Sequence, residues 1–506
     1  MMKIIVAQKQ INLSRLIVVA FSAIALSGNV LPVNGVEARS ANKTFADWCR
    51  QKADLSPETK HTVEVVLKEV ETTDCDVANQ IFSSIAELEL DLDKNQISDI
   101  QPLASLTNLT GLYLNFNQIS DIKPLASLTK LNTLSLGENK ISDIQPLASL
   151  TNLRQLALSN NPISDIQPLA SLTNLRRLGL SNNPISHIKP LASLTKLISL
   201  SLNNNPISDI KPLASLTNLS ELSLSNNQIS DLKPLQSLTN IQSLRVNNNP
   251  ISDIKPLASL TNLSELSLSN NQISDIKPLT SLTKLVRLDL GKNQISDIQP
   301  LASLTNLIRI ELDNNTIGDI QPLASLTTNL TEISLSNNEI SDIKPLASLT
   351  KLIWLHLSHN RISDIKPLAS LTKLGWLWLD NNQISDIKPL PSLTNLIQLK
   401  LDNNTIGDIK PLASLTGLSL LHLSNNPISD IKPLASLTNL RELYLDNNQI
   451  SEIKPLASLT NLEKLYLSGN PIAPKTCPLK PEFICKWEPP PSLELIEPPP
   501  GLLETQ

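Results

Sequence analysis

Hydrophobic and polar positions repeat along this chain with a period of 22 residues, from about Glu87 to Ala473. Each period contains leucines in the spacing L-x-x-L-x-L, then an asparagine, an isoleucine and a proline. Apolar residues at alternate positions of the L-x-L segment predict a short β-strand with one buried face. The proline lacks an N–H group and fixes φ, so it predicts that the chain returns through short turns.

The asparagine of each period, which we call the ladder asparagine, occurs 18 times. All spacings are 22 residues except one of 23, where Thr327 and Thr328 add a residue. A fixed period of this length predicts a solenoid, and the L-x-x-L-x-L-x-x-N-x-I core is typical of the leucine-rich repeat type. The ladder asparagines are Asn95, Asn117, Asn139, Asn161, Asn183, Asn205, Asn227, Asn249, Asn271, Asn293, Asn315, Asn338, Asn360, Asn382, Asn404, Asn426, Asn448 and Asn470.

The predicted fold is an α/β-type solenoid of about 18 coils over residues 86–473, shaped as a horseshoe. A parallel sheet forms its concave side and short 3-10 and other turns form its convex side. In the ninth repeat we expect seven side chains to point inward: Leu263, Leu266, Leu268, Ile273, Ile276, Leu279 and Leu282. The amide of Asn271 is expected to satisfy backbone groups in the bend after the strand.

A cap is predicted at each end of the repeats. Residues 39–85 are predicted to form a helical N-terminal cap, because Ser56-Pro57-Glu58 is typical of a helix start. Val63, Val66, Leu67 and Val70 follow at helical spacing and would cover the first coil. Residues 474–487 are predicted to form the C-terminal cap.

The four cysteines lie only in these caps, at Cys49, Cys75, Cys477 and Cys485. Four cysteines allow three pairings. The local pairing, Cys49 with Cys75 and Cys477 with Cys485, places one disulfide in each cap, whereas the others require the two ends of the solenoid to meet. A zinc site is the alternative, but the gaps between the cysteines lack the usual ligand spacing.

Residues 1–38 are predicted to be a signal peptide, with basic residues before an apolar run from Leu16 to Leu26 and cleavage after Ala38. The apolar run is too short to span a bilayer, so stable membrane insertion is not expected. The mature protein would be secreted or periplasmic, which agrees with disulfides. Residues 488–506 contain two triple-proline runs and predict a disordered, extended tail, with a proline-motif ligand as the alternative.

Composition and motifs argue against several classes of function. A net charge of −5 gives no basic surface for nucleic acid. No nucleophile elbow, phosphate loop or paired-carboxylate motif occurs, so neither an enzyme nor a cofactor is predicted. His356 and His359 lack a convincing third ligand, and no metal site is predicted. A row of aspartates and a row of Lys or Gln on the return path, as at Asp275 and Lys277, indicate a solvated face or, alternatively, a charged binding ridge.

The informative residues are those that vary at the outer face of the sheet, meaning the strand positions that point away from the coil interior. They are small in most N-terminal repeats and larger in the C-terminal ones. Three tryptophans lie in two adjacent repeats, where an exposed aromatic patch with a charged rim is predicted as a ligand-binding site. The predicted site residues are Arg309, Glu311, Trp354, His356, Trp376, Trp378, Asp380, Lys400, His422, Tyr444 and Tyr466.

The repeat N-x-I-S-D-I-x-P-L-A-S-L-T-N-L, as at Asn249 to Leu263, resembles that of the internalin-type bacterial leucine-rich repeat proteins. The resemblance covers most of the chain and implies protein recognition by the concave sheet. The resulting hypothesis is a non-enzymatic exported protein that binds a protein ligand, chiefly through its aromatic C-terminal half. The alternatives are binding of a glycan or cell-envelope polysaccharide on the same face, and a structural spacer.

Overall fold

The computed structural model describes residues 43–488. The predicted signal peptide of residues 1–38 lies outside this range, as do residues 489–506 of the predicted tail. Three helices precede the repeats, α1 (Phe45–Arg50), α2 (Pro57–Glu69) and α3 (Cys75–Ser84). The predicted start of α2 is confirmed, because the Ser56 side chain accepts a hydrogen bond from the Thr59 N–H and Pro57 is the first helical residue.

A single parallel sheet of 19 strands runs through the described residues, and each strand pairs with the next one along the chain. β1 and β19 are its two edges, so the sheet is open. The strands are β1 (Leu88–Asp91), β2 (Leu109–Tyr113), β3 (Thr133–Ser135), β4 (Gln155–Ala157), β5 (Arg177–Gly179), β6 (Ser199–Ser201), β7 (Glu221–Ser223), β8 (Ser243–Arg245), β9 (Glu265–Ser267), β10 (Arg287–Asp289), β11 (Arg309–Glu311), β12 (Glu332–Ser334), β13 (Trp354–His356), β14 (Trp376–Trp378), β15 (Gln398–Lys400), β16 (Leu420–His422), β17 (Glu442–Tyr444), β18 (Lys464–Tyr466) and β19 (Cys485–Lys486).

The predicted solenoid is confirmed coil by coil. β1–β18 belong to the repeats, and each return path contains a 3-10 turn, from Gln101–Ser105 after β1 to Lys454–Ser458 after β17. The seven inward residues of the ninth repeat, such as Leu263 and Ile273, are at most 2% exposed. Burying each such side chain contributes roughly 1.5–3 kcal/mol, so the stacked leucines and isoleucines are the main source of stability.

The ladder asparagines form hydrogen bonds with main-chain groups of their own coil and of the preceding coil, and they satisfy backbone groups in the bend as predicted. The Asn271 amide nitrogen donates to the carbonyls of Val246 (3.2 Å), Leu268 (2.8 Å) and Ser269 (3.1 Å). Its carbonyl oxygen accepts from the Ile251 N–H (3.2 Å) of the preceding coil. The bend therefore has its backbone groups satisfied where no sheet hydrogen bond reaches them.

The aspartate row of the return path has a structural role that the sequence did not reveal. The carboxylate of Asp275 accepts a hydrogen bond from the main-chain N–H of Lys277 at 2.9 Å, directly before the 3-10 turn Lys277–Ser281. The same contact recurs in other coils, as between Asp99 and Gln101. These side chains are exposed but cap the turns, which explains the row without a charged binding ridge.

Each of the two predicted caps contains a disulfide, and the pairing is the local one. Cys49 is bonded to Cys75 and Cys477 to Cys485. The N-terminal helices contact the first coil directly, since the Thr62 hydroxyl donates to the Asp99 carbonyl at 2.6 Å. Among residues 43–488, no helix is long and apolar enough to cross a membrane.

Candidate functional site

The predicted site residues lie on the outer face of the sheet because the middle residue of each strand points inward. In β13 and β14 the middle residues Leu355 and Leu377 are completely buried. The residues on either side of them are therefore on the outer face, and the strands pair Trp354 with Trp376 and His356 with Trp378. Side chains that are 22 residues apart in sequence thus become neighbours at the strand spacing of about 4.8 Å.

The third strand position forms one continuous row across the C-terminal half. From β13 to β18 this row consists of His356, Trp378, Lys400, His422, Tyr444 and Tyr466. From β3 to β9 the same row consists of Ser135, Ala157, Gly179, Ser201, Ser223, Arg245 and Ser267. The large aromatic and basic side chains are therefore concentrated at one end of an otherwise small and polar face.

Trp354, His356 and Trp378 pack together and form what we call the indole cluster. The ring centroids of Trp354 and Trp378 are 5.9 Å apart with an edge-to-face geometry, and those of His356 and Trp378 are 4.6 Å apart. The Lys400 ammonium lies 4.1 Å from the centroid of the Trp378 ring. Both arrangements are favourable for aromatic rings, with quadrupoles oriented edge-to-face and a cation over one face.

The prediction of an exposed aromatic patch is wrong for part of the site. Trp354 and Trp378 are only 7% and 5% exposed, although they lie on the outer face. Trp354 at the first position of β13 and Trp378 at the third position of β14 lie diagonally across neighbouring strands, and each ring covers part of the other. Trp376 is partly exposed, and within the described chain no ring contact joins it to the cluster. The three indoles are therefore not one continuous exposed platform.

A second aromatic group follows along the same row. The His422 ring is stacked on Tyr444 at 3.9 Å, and Tyr444 is stacked on Tyr466 at 4.6 Å. Tyr444 and His422 are each only 4% exposed, so they too depart from the predicted exposure. The Tyr444 hydroxyl donates to Glu442 at 2.9 Å, and burial together with this carboxylate raises the pKa of the phenol. The three stacked rings therefore hold one another in place, and the Tyr444 phenol keeps its proton at neutral pH.

Two hydrogen-bonded carboxylates flank the indole cluster on its N-terminal side. Glu311 pairs with Arg309 at 2.7 Å, and burial, reinforced by Asp289, raises the pKa of Glu311. Burial also raises the pKa of Asp313, although Ser334 donates to its carboxylate. These carboxylates are therefore held in a partly desolvated environment, where a charged ligand group interacts more strongly than at an open surface.

The pKa values of His356, within the indole cluster, and of the neighbouring Lys400 are both lowered. Burial lowers the pKa of His356 to about 4, with Asp380 acting in the opposite direction. Burial also lowers the pKa of Lys400, whereas Asp380 and Asp402 raise it. His356 is thus a neutral imidazole at physiological pH, and its Nδ1 lies 3.2 Å from the Ser334 hydroxyl.

A cleft of about 710 Å³ joins eight of the predicted site residues. They are Arg309, Glu311, Trp354, His356, Trp378, Asp380, Lys400 and His422. Trp376, Tyr444 and Tyr466 do not line it. Asp289, Asp313 and Asp402 line the cleft but were not among the predicted site residues. The 22-residue period predicts that these aspartates lie beside the aromatic residues, but it does not predict that they are buried.

The indole N–H groups of Trp354 and Trp378 are buried and have no hydrogen-bond acceptor within residues 43–488. A buried polar group without a partner costs about 1–3 kcal/mol. The ring packing that positions these tryptophans must outweigh this cost. Within the same residues, no three His, Cys, Asp or Glu side chains are grouped as ligands for a metal ion.

Comparisons with known proteins agree with this architecture. The family described as leucine-rich repeats (2 copies) matches overlapping segments at residues 88–127, 129–171, 173–215, 217–259, 261–303, 284–325, 305–348, 328–368, 350–392, 372–414, 394–436 and 438–480. A comparison with the curated proteins gave no match.

Similar solved structures include bacterial and plant leucine-rich repeat proteins, of which three bacterial ones are compared with this chain. An internalin (InlF) from Listeria monocytogenes str. 4b F2365 is 34% identical, covering 76% of this chain and 95% of that chain, with a TM-score of 0.44. The LRR protein LIC12759 of Leptospira interrogans is 27% identical, covering 75% and 95%, with a TM-score of 0.61. The functional domain of InlJ from Listeria monocytogenes is 20% identical, covering 84% and 82%, with a TM-score of 0.54.

Proposed function

Because the chain belongs to the leucine-rich repeat family and has repeats of the internalin type, we propose that it recognises a protein ligand on the outer face of its sheet. Leucine-rich repeat proteins generally mediate protein–protein recognition and are typically non-enzymatic scaffolds. The proposed binding site is the cleft around the indole cluster, together with the partly exposed Trp376 beside it. In this proposal the protein has no catalytic activity and no cofactor.

The observation that carries the proposal is the concentration of large side chains in one part of a nearly uniform scaffold. The inward leucines and isoleucines hardly vary between coils, so they do not distinguish one part of the outer face from another. The third-position row changes from serine, alanine and glycine, with one arginine at Arg245, in β3–β9 to histidine, tryptophan, lysine and tyrosine in β13–β18. Aromatic residues in a desolvated centre with a polar rim are the usual composition of binding hot spots.

The packing of the site favours tight binding because its side chains are already ordered. Trp354 and Trp378 are held against each other, and Tyr444 is held between His422 and Tyr466. Immobilising a free side chain on binding costs roughly 0.5–1.5 kcal/mol. A ligand that meets preordered rings avoids most of that cost, and the partly exposed Trp376 and Lys400 supply accessible contact surface.

The proposed setting is outside the cytoplasm. The two disulfides and the internalin-type relatives indicate an extracellular protein. We propose more specifically that the chain is secreted or periplasmic after cleavage near Ala38. A protein ligand would then be a component of the cell envelope or of the surrounding medium.

Affinity capture tests the proposal. The baits are the wild-type chain and a variant with Trp354→Ser, Trp376→Ser and Trp378→Ser, each exposed to envelope and culture extracts. The control bait carries Tyr113→Ser, which removes an aromatic residue from the same outer face in β2. All three should unfold cooperatively, because the inward leucines are unchanged.

The expected result is a protein that the wild-type and Tyr113→Ser baits capture and the triple variant does not. Capture of the same protein by the triple variant would refute the site. A glycan array run in parallel distinguishes the polysaccharide alternative, because binding there with no captured protein would refute a protein ligand.

A further inference from the structure

The residue directly before each strand forms a second row, which runs along the edge of the outer face. From β10 to β15 this row contains Val286, Ile308, Thr331, Ile353, Gly375 and Ile397. Before the strands on either side it is mostly polar: Asn132, Arg154, Arg176, Ile198, Ser220, Gln242 and Ser264, and later Ser419, Arg441 and Glu463. We call the run from Val286 to Ile397 the apolar edge.

Main-chain hydrogen bonds hold the apolar edge in register from coil to coil. The Ile308 N–H donates to the Val286 carbonyl at 2.9 Å, and the Ile397 N–H donates to the Gly375 carbonyl at 2.8 Å. Ile308 is 38% exposed and Ile397 is 41% exposed, whereas Ile353 between them is half-buried. Single exposed isoleucines such as Ile198 are ordinary, whereas three isoleucines and a valine within six consecutive coils form an apolar strip.

Large and small residues alternate along this edge. Thr331 lies between Ile308 and Ile353, and Gly375 lies between Ile353 and Ile397. The fold does not require glycine at position 375, because a Cβ there would meet its nearest atoms at 3.9 Å, an ordinary contact distance. Gly375 itself is buried and forms the floor of a notch, which is bordered by the Ile353 carbonyl and the Ile397 side chain.

The spacing of these notches matches one particular backbone conformation. Two coils correspond to about 9.6 Å at a strand spacing of about 4.8 Å. A polyproline II helix has three residues per turn and a rise of about 3.1 Å, which gives about 9.3 Å per turn. A polyproline II segment lying along the edge would therefore place every third residue opposite a notch.

Three lysines border the apolar edge. Lys284, Lys351 and Lys373 each lie two residues before an edge residue and are exposed. Within residues 43–488, no carboxylate forms an ion pair with any of the three. The edge is thus apolar with a basic border, so a proline-rich, acidic segment is the complementary ligand.

The chain itself contains such a segment. Residues 489–506 have two triple-proline runs, five leucine or isoleucine residues and three glutamates, with no lysine or arginine. The two triplets, at 489–491 and 498–500, begin nine residues apart, which corresponds to about three polyproline II turns. Grooves lined by aromatic residues are a common binding surface for such segments. Trp376, the first residue of β14, directly follows Gly375 in the sequence and therefore lies beside the apolar edge.

We propose that residues 489–506 bind along the apolar edge as an intramolecular ligand and cover Trp376. The reach is sufficient, since 18 residues span about 56 Å in polyproline II conformation. β19 lies four strands from β15 and eight from β11, which corresponds to about 19 Å and 38 Å. The segment would then compete with any external ligand of the outer face. This docking does not depend on the proposed function being correct.

Photo-cross-linking in the full chain tests the proposal without a known ligand. The cross-linking amino acid p-benzoylphenylalanine replaces Ile397 in one variant and Ile308 in another. Ile198, which is 39% exposed in the same row but outside the apolar edge, is the matched control. Mass spectrometry identifies the linked peptides, and thermal unfolding verifies that each variant is folded.

The expected result is intramolecular cross-linking to residues 489–506 from positions 397 and 308 but not from 198. Lys351→Glu with Lys373→Glu should lower the yield several-fold, whereas Lys196→Glu, the equivalent lysine beside Ile198, should leave it unchanged. No link to residues 489–506, or equal links from position 198, would overturn the proposal. Links to a second molecule that increase with concentration would also overturn it and assign the edge to self-association.

Discussion

The ladder asparagines allow a direct test of how the coils are held in register. Asn249 is 6% exposed, and its amide nitrogen donates to the carbonyls of Leu224 (3.0 Å), Val246 (3.1 Å) and Asn247 (3.0 Å). Its carbonyl oxygen accepts from the Ile229 N–H at 3.0 Å. Asn249→Leu removes all four hydrogen bonds and leaves a buried N–H without an acceptor.

The expected loss follows from these contacts. A buried unsatisfied N–H costs about 1–3 kcal/mol, and the three carbonyls lose a shared donor, so we expect the free energy of unfolding to fall by about 3 kcal/mol. Asn218→Leu is the control, because Asn218 is exposed and makes one bond, to the Thr195 carbonyl at 2.9 Å. That change should stay within about 0.5 kcal/mol of the wild type.

Urea denaturation of the three proteins gives the comparison, with hydrogen exchange at the Ile229 amide as a local measurement. Exchange there should accelerate in Asn249→Leu and remain slow in Asn218→Leu. Equal stability of the two variants would refute the reasoning, because it would mean that the buried amide network contributes nothing beyond an exposed hydrogen bond.

Further predictions concern pH, the N-terminal cap and the turns. Burial holds the pKa of His356 at about 4 in the folded protein, below its value of about 6.5 in the unfolded chain. The free energy of unfolding should therefore be highest above about pH 6.5 and fall by up to about 3 kcal/mol as the pH is lowered to about 4. His356→Gln should remove most of that decline in pH-dependent urea titrations. Cys49→Ser with Cys75→Ser opens a loop with a sequence separation of 26. It should lower the free energy of unfolding by about 3 kcal/mol, with fast hydrogen exchange in α1 and α3. Asp275→Ala removes the cap of one 3-10 turn and should cost about 0.5–1 kcal/mol by thermal unfolding, whereas no change would contradict the capping role.

Much of the fold could be predicted because one repeat determines it. The inward leucines, the ladder asparagines such as Asn271 and the start of α2 at Ser56 and Pro57 are each visible as a local pattern. The capping contact of Asp275 with the Lys277 N–H was not predicted, because an exposed charged residue before a proline suggests only a solvated face. The contact depends on the backbone direction in the turn.

The position of the candidate site could be predicted from the sequence, but the packing and burial of its side chains could not. The period places Trp354, His356 and Trp378 on neighbouring strands, which the structure confirms. It does not predict rotamers, so the burial of Trp354 and Trp378 against each other was missed. The shift in the pKa of His356 was missed for the same reason, since it arises from burial, and the rings of Trp354 and Trp378 pack against this side chain.

The most direct test of protein recognition by the outer face is the affinity of the captured ligand for two purified chains. Isothermal titration calorimetry would compare the wild type with the variant carrying Trp354→Ser, Trp376→Ser and Trp378→Ser. The loss of a hot spot of this size predicts a decrease in affinity of at least about 100-fold, or roughly 2.7 kcal/mol. Dissociation constants that agree within about twofold, which is about 0.4 kcal/mol, would show that the ligand binds elsewhere on the solenoid.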